Sequence, residues 1–222
     1  MNKKNKQTIA SLFLAAFVLF ICTGSLYSLV FANESDNGYD DPPRPPGAEK
    51  SSSIREYVLR GAGYFLSGYS DILLFLNTLE LAELEGLDYG QLAEMINLAA
   101  ADMENARAVY AALRQQADQT PYNPLVIHQL EVFDYTRFME QNALDPLVFK
   151  KVETYLSKGD VRGVYHYIYE NLEEILEVLY RIRSAVNAET FPHIPDLWAL
   201  NQICSETLLF GQYVANVFHE IK

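Results

Sequence analysis

The sequence predicts an all-α protein, an antiparallel bundle of five long helices in which the third is broken at Asp145-Pro146. Apolar residues recur at steps of three and four through long segments after residue 53, as in helices that bury one face. Residues that commonly cap helices separate these segments. No segment shows sustained alternation of apolar and polar residues, so we expect no strands.

The first 32 residues have the three parts of a secretory signal peptide. Three lysines among the first six residues precede an apolar run over 9–22. Val30 and Ala32 then stand at the third and last positions before the expected cleavage site, where a signal peptidase accepts small residues. We therefore expect cleavage between Ala32 and Asn33, and an exported protein in the periplasm or the extracellular space.

Two other interpretations of this segment stay open. Ile9–Ala32 is long enough to cross a bilayer core of about 30 Å, so the segment could be retained as an anchor. Cys22 could instead carry the lipid of a lipoprotein, although Ile21 stands where a small residue is preferred. In each case residues 33–222 lie outside the cytoplasm.

Residues 33–52 differ in composition from the rest of the chain. They are acidic, rich in Pro, Gly and Ser, and contain almost no apolar side chains. Such a segment buries too little apolar surface to offset the entropy cost of ordering it. We therefore expect a disordered linker over 33–52 and a helical bundle domain over 53–222.

The first predicted helix covers about 54–85, between a capping box formed by Ser53 and Glu56 and a closing glycine at Gly86. It is apolar around most of its circumference, so we expect it to be the most buried helix of the bundle. Glycine lowers helix propensity, and glycines inside this helix indicate close approach of a neighbouring backbone. The glycines concerned are Gly61, Gly63 and Gly68.

The second and third predicted helices are marked by acidic or amide caps. Asp88 begins the second helix, which extends to about residue 117. Asn123-Pro124 begins the third, because a capping residue followed by proline is typical of a first turn. Asp145-Pro146 repeats that signal and divides the third helix into two pieces, 124–142 and 146–157.

The fourth predicted helix has the most regular apolar pattern, and it begins at Asp160 after a glycine. The apolar residues that define its core face are Val161, Val164, Ile168, Leu172, Ile175, Leu179, Ile182 and Val186. Their sustained spacing of three and four predicts a left-handed bundle interface. A proline-containing segment near 189–195 ends this helix, and the fifth continues from about Pro195 to the C-terminus.

The charge excludes some classes of partner. The formal net charge is −12, and removal of residues 1–32, which contain three lysines and no acids, makes it −15. Nucleic acid and anionic membrane surfaces both require clustered Lys and Arg, so we expect neither as a partner. The acidic surface is explained by solubility, and a basic protein partner stays open.

The sequence contains no pattern that indicates catalysis or a bound cofactor, so we expect a non-enzymatic protein without a cofactor. The Glu-x-x-His pairs of a di-iron bundle and the Cys-x-x-Cys-His of covalent haem are both missing. The His/Glu pairs His128 with Glu131 and His166 with Glu170 are interpreted as surface ion pairs rather than metal ligands. Cys204, the single cysteine left after cleavage, is expected to be buried and inert.

Tyrosine is unusually abundant, with 15 residues, and the start of the fourth helix is its densest cluster. Tyrosine is enriched in protein-docking surfaces, although a boundary role with a wet hydroxyl is the simpler explanation. The pattern places Tyr165 beside the core face and points His166, Tyr167 and Tyr169 outward, with Tyr135 of the third helix contributing to the same neighbourhood. These five residues form the predicted binding site.

Two functions follow as hypotheses. The first is a protein-binding or scaffold module of the cell envelope or extracellular space, which uses its tyrosine-rich faces to hold another protein of that compartment. The second is a bundle that encloses a small hydrophobic or aromatic ligand, or non-covalent haem. The sequence favours the first.

Overall fold

The computed structural model describes residues 54–82, 86–119 and 123–221. These residues form seven α-helices and no strand, which confirms the all-α prediction for this part of the chain. The helices are α1 Ile54–Ala82, α2 Tyr89–Gln119, α3 Pro124–Val132, α4 Tyr135–Gln141, α5 Pro146–Leu156, α6 Val161–Asn187 and α7 Ile194–Glu220. The predicted signal peptide, the predicted linker and Ser53 of the first capping box lie outside the described residues.

The four long helices contact one another in the order α1, α2, α6, α7, and α7 returns to α1. In each neighbouring pair, residues near the start of one helix contact residues near the end of the other. The helices α1 and α2, α2 and α6, and α6 and α7 are therefore antiparallel. The contacts that show this include Gly61 with Tyr110 and Thr78 with Met95, Glu104 with Tyr180 and Arg107 with Glu173, and Asn171 with Thr207 and Arg181 with Asp196. The short helix α5 packs against both α6 and α7, and α4 packs against α5.

The core is apolar, and α6 supplies the largest share of it. All eight residues predicted for the core face of the fourth helix are buried, from Val161 to Val186. By contrast, α1 leaves Leu74 51% exposed and several other leucines half-exposed. The expectation that the first helix is the most buried is therefore wrong, since α1 covers the core with one face and leaves the other in solvent.

The helices α3, α5 and α6 begin at the capping residues that the sequence predicted. The Asn123 side chain accepts a hydrogen bond from Leu125 N at 3.0 Å, and Asp160 accepts one from Gly163 N at 2.8 Å. Asp145 accepts two, from Leu147 N at 2.9 Å and from Val148 N at 3.0 Å. Each carboxylate or amide satisfies a backbone N–H that the first turn of a helix cannot satisfy itself.

The prediction of a continuous helix over 124–142 is wrong, because the chain also breaks at Phe133 and Asp134. Phe133 has an extended backbone, and its ring packs edge-on against Phe138 at a centroid distance of 5.3 Å. The Asp134 carboxylate then accepts a hydrogen bond from Arg137 N at 3.0 Å and begins α4. Within the described residues, the predicted third helix is therefore three helices, α3, α4 and α5.

The glycines of α1 have different surroundings. A Cβ on Gly68 would lie 3.2 Å from the Ala99 carbonyl oxygen, which confirms close approach of the α2 backbone at that position. A Cβ on Gly61 would lie 2.7 Å from the ring of Tyr110. Gly63 is exposed and has nothing within 4 Å of such an atom, so close packing does not explain it.

Candidate functional site

The start of α6 carries four of the five predicted site residues, and the structure separates them onto different faces. His166 is exposed, and Tyr167 and Tyr169 are partly exposed. Tyr165, predicted to flank the core face, is only 2% exposed and belongs to the core. Tyr165 therefore offers no contact surface, whereas the other three residues border solvent.

Tyr135, the fifth predicted residue, is buried in a different aromatic group. Its hydroxyl donates a hydrogen bond to the Leu130 carbonyl oxygen at 2.9 Å, and its ring centroid lies 6.3 Å from that of Phe149. Burial raises the pKa of this tyrosine well above its ordinary value. The described ring contacts of Tyr135 are with Phe133 and Phe149, so they do not join it to the start of α6.

Tyr167 belongs to a polar cluster, here called the Tyr167 network, that joins three helices. Its hydroxyl and the Lys151 ammonium group both donate hydrogen bonds to the Glu206 carboxylate, and Lys151 Nζ lies 3.2 Å from the Tyr167 hydroxyl. These residues come from α6, α5 and α7. The Tyr167 ring also contacts Phe210 at a centroid distance of 4.4 Å. The network fixes the three helices relative to one another, so the Tyr167 hydroxyl is already committed.

The ionisation of the network follows from this geometry. Partial burial alone would raise the pKa of Glu206, but hydrogen bonds from Lys151 and Tyr167 outweigh it and lower the pKa below its ordinary value. Burial likewise acts to lower the pKa of Lys151, and the same partners raise it overall. The pair is therefore ionised at neutral pH and acts as a charge-assisted contact between α5 and α7.

His166 borders a cavity of about 270 Å³, here called the arginine cleft, which is lined by Arg114, Arg162, Gly163 and His166. The Arg114 guanidinium carbon lies 4.5 Å from the centroid of the Tyr169 ring, a cation–π contact between α2 and α6. Arg162 Nε donates a hydrogen bond to the Ala117 carbonyl oxygen at 3.2 Å. Both arginines of the lining are therefore engaged within the protein, Arg114 with the Tyr169 ring and Arg162 with the Ala117 carbonyl oxygen.

The sequence interpretation of the two His/Glu pairs can be compared with the structure. His166 Nε2 lies 3.0 Å from Glu170 Oε1, so these two side chains contact each other on α6. His128 and Glu131 are both exposed on α3. Within the described residues, no three His, Cys, Asp or Glu side chains are grouped so that they could hold a metal ion. Cys204 is buried, and burial raises the pKa of its thiol, as expected for an inert cysteine.

The sequence prediction missed an apolar surface at the start of α7, here called the Trp198 surface, which is formed by Phe191, Ile194 and Trp198. These side chains are 46%, 58% and 75% exposed, respectively. Ile194 and Trp198 lie one turn apart on the same face of α7. The sequence did not reveal this surface, because the face of α7 that packs on the core, with Leu200, Cys204 and Leu208, is known only from the structure.

Similarity to known proteins does not identify the function. No family model, curated protein or solved structure shows significant similarity to this chain. Over the described ranges, no helix is long and apolar enough to cross a membrane. The surfaces and clusters described above are therefore the basis for a functional proposal.

Proposed function

We propose that this chain is an exported, non-enzymatic module that binds a basic protein through the Trp198 surface. The observation that supports the proposal best is the 75% exposure of Trp198, the single tryptophan of the chain. Single exposed apolar side chains are common on protein surfaces, whereas adjacent ones that form a patch commonly mark sites of protein contact. Tryptophan is also the residue type most enriched among those that dominate binding energy.

The Trp198 surface is held on a rigid element. Asp196, in the first turn of α7, accepts hydrogen bonds from Arg181 Nε at 3.1 Å and from Arg181 Nη2 at 2.9 Å. Arg181 Nη1 also lies 2.9 Å from Glu177 Oε1, so the start of α7 is tied to the last turns of α6. An apolar surface on a fixed helix loses little conformational entropy when a partner covers it.

Charge decides which partner fits. Residues 33–222 have a net charge of −15, and the acids Glu177 and Asp196 lie on the helices next to the surface. A partner with an apolar centre surrounded by Lys and Arg would be attracted electrostatically and could place a cation against the Trp198 ring. We therefore assign a basic protein as the occupant, in the compartment to which the chain is exported.

The test is to replace Trp198 with a photoreactive aromatic residue, cross-link in the native compartment and identify the captured protein by mass spectrometry. The purified partner is then titrated with the wild-type chain and with Trp198→Ala. We expect the variant to weaken binding by about thirtyfold, which corresponds to the loss of one dominant interface residue. Binding should also weaken as salt concentration rises, because charge complementarity is screened.

Leu147→Ala is the matched control, since Leu147 is an equally apolar side chain, 80% exposed, at the start of α5. We expect this control to change the affinity by less than about twofold. Equal losses for the two variants would contradict the assignment of the Trp198 surface. A captured partner with an acidic contact surface, or binding that is insensitive to Trp198→Ala, would contradict it as well.

A further inference from the structure

We infer that the outer side of the α1–α2 pair, here called the Leu98 surface, is the interface of an antiparallel dimer of this chain. The residues that form the surface are Arg60, Asp71 and Leu74 of α1 and Leu98, Ala101, Asn105, Ala108 and Ala112 of α2. This inference is independent of the proposed function, because the Trp198 surface lies on α7 and the segment before it. A second copy is the occupant because the surface complements itself in size and in charge.

The fold leaves two large apolar side chains of this surface in solvent. Leu74 is 51% exposed and Leu98 is 54% exposed. Leu74 lies one turn before Thr78, and Leu98 lies about one turn after Met95. Because Thr78 contacts Met95 and the two helices are antiparallel, the two leucines lie at the same height on the outside of the pair. Adjacent exposed apolar side chains commonly mark a contact surface.

The outer face of α2 carries no charge over about five turns, although the protein is acidic. Steps of three and four from Leu98 give Leu98, Ala101, Asn105, Ala108, Ala112 and Gln115. Ala112 is half-buried and the other five residues are exposed. Two copies of a chain with a net charge of −15 over residues 33–222 repel each other across most of their surface. This face lets two α2 helices approach without placing like charges together.

The face is complementary in size to itself about a two-fold axis at Asn105. In antiparallel packing about that axis, Leu98 lies opposite Ala112 of the second copy, and Ala101 lies opposite Ala108. A large side chain therefore meets a small one at each end, as the packing of ridges into grooves requires. The two Asn105 side chains meet at the axis, where each amide can donate a hydrogen bond to the other's carbonyl oxygen.

The α1 helices supply opposite charges to the same interface. Burial, and then the neighbouring Asp102 carboxylate, raise the pKa of Asp71, so two acids lie close together here. Since α1 and α2 are aligned along their length, the same axis places Arg60 of each copy beside Leu74 of the other and about one turn from its Asp71. Arg60 of one copy therefore offsets the repulsion between the two acids of the other, and the contact occurs twice.

Sedimentation equilibrium of the purified exported protein tests the inference. We expect a dimer with a dissociation constant on the order of 10 µM, because one face of two helices is a small interface. Asn105→Glu and Asn105→Lys each place like charges together at the axis and should each weaken dimerisation by at least about tenfold. An equimolar mixture of the two variants should restore the dimer, because opposite charges then meet there.

Gln129, which is exposed on α3, provides the matched control. Gln129→Glu and Gln129→Lys, separately or mixed, should dimerise like the wild type. Glu and Lys both favour a helix more than Asn does, so the Asn105 variants should fold, which circular dichroism checks. A wild type that stays monomeric up to about 300 µM would overturn the inference. Asn105 variants that dimerise as tightly as the wild type, or a mixture that stays monomeric, would also overturn it.

Discussion

Individual polar and charged side chains fix how α5, α6 and α7 pack against one another. Glu206 accepts hydrogen bonds from Lys151 and Tyr167, and its side chain keeps only 25% exposure. One turn beyond Tyr167 on α6, Asn171 Nδ2 donates a hydrogen bond at 2.8 Å to Oγ1 of Thr207, the residue after Glu206 on α7. A buried or half-buried polar group must find a partner, so such contacts fix one alignment of the helices and exclude others.

The pKa of Glu206 predicts a pH-dependent stability. Because the folded state lowers this pKa below its ordinary 4.5, the contribution of Glu206 is fully present above that value. It is lost as the pH falls through the lowered pKa. We expect Glu206→Gln to reduce the free energy of unfolding at pH 7 by about 1–2 kcal/mol, and the difference from wild type to shrink as the pH approaches 3.

Urea denaturation of both proteins across this pH range checks the expectation. Glu174→Gln is the control, since Glu174 is exposed on α6, and we expect it to follow the wild type at every pH. A difference between Glu206→Gln and wild type that stays constant from pH 7 to pH 3 would contradict the assigned hydrogen bonds.

At the scale of the helices, local sequence predicted most starts and ends. Asn123, Asp145 and Asp160 cap where predicted, because a cap depends only on its neighbours in the chain. The break at Phe133 and Asp134 was not predicted, because the capping residue Asp134 is accompanied by no proline or glycine. It depends on packing of the Phe133 ring against Phe138 and Tyr135, a contact that helical periodicity does not reveal.

Gly163 provides a prediction about the start of α6. A Cβ at this position would overlap the capping carboxylate of Asp160 and the ring of Tyr155. We expect Gly163→Ala to lower the free energy of unfolding by about 1–2 kcal/mol, because loss of the cap and repacking outweigh the gain in helix propensity. Thermal and urea unfolding give the measurement.

Gly63→Ala is the opposite case and the control. Gly63 lies inside α1 with nothing within 4 Å of an added Cβ. We expect this substitution to raise the free energy of unfolding by about 0.5–1 kcal/mol, through helix propensity alone. If both substitutions stabilise the protein equally, the packing described around Gly163 is wrong.

At the scale of the whole molecule, the candidate site depends on pairings that the sequence does not encode locally. The apolar pattern showed which face of α6 is buried, but Tyr165 lies within the core and Tyr167 is half-buried against Phe210. The pattern did not show that Tyr167 meets Lys151 and Glu206, or that Tyr169 meets Arg114, because these partners lie on other helices. Trp198 was missed for a related reason, since its exposure depends on where α7 packs.

The central claim is that a basic protein covers the Trp198 surface, and the fluorescence of Trp198 tests it most directly. Trp198 is the only tryptophan of the chain, so its emission reports this surface alone. The cross-linked partner, with its own tryptophans replaced by phenylalanine, is added while emission wavelength and quenching by acrylamide are recorded. We expect a shift to shorter wavelength and strong protection from the quencher as the complex forms. A complex that forms with unchanged emission and unchanged quenching would contradict the proposal.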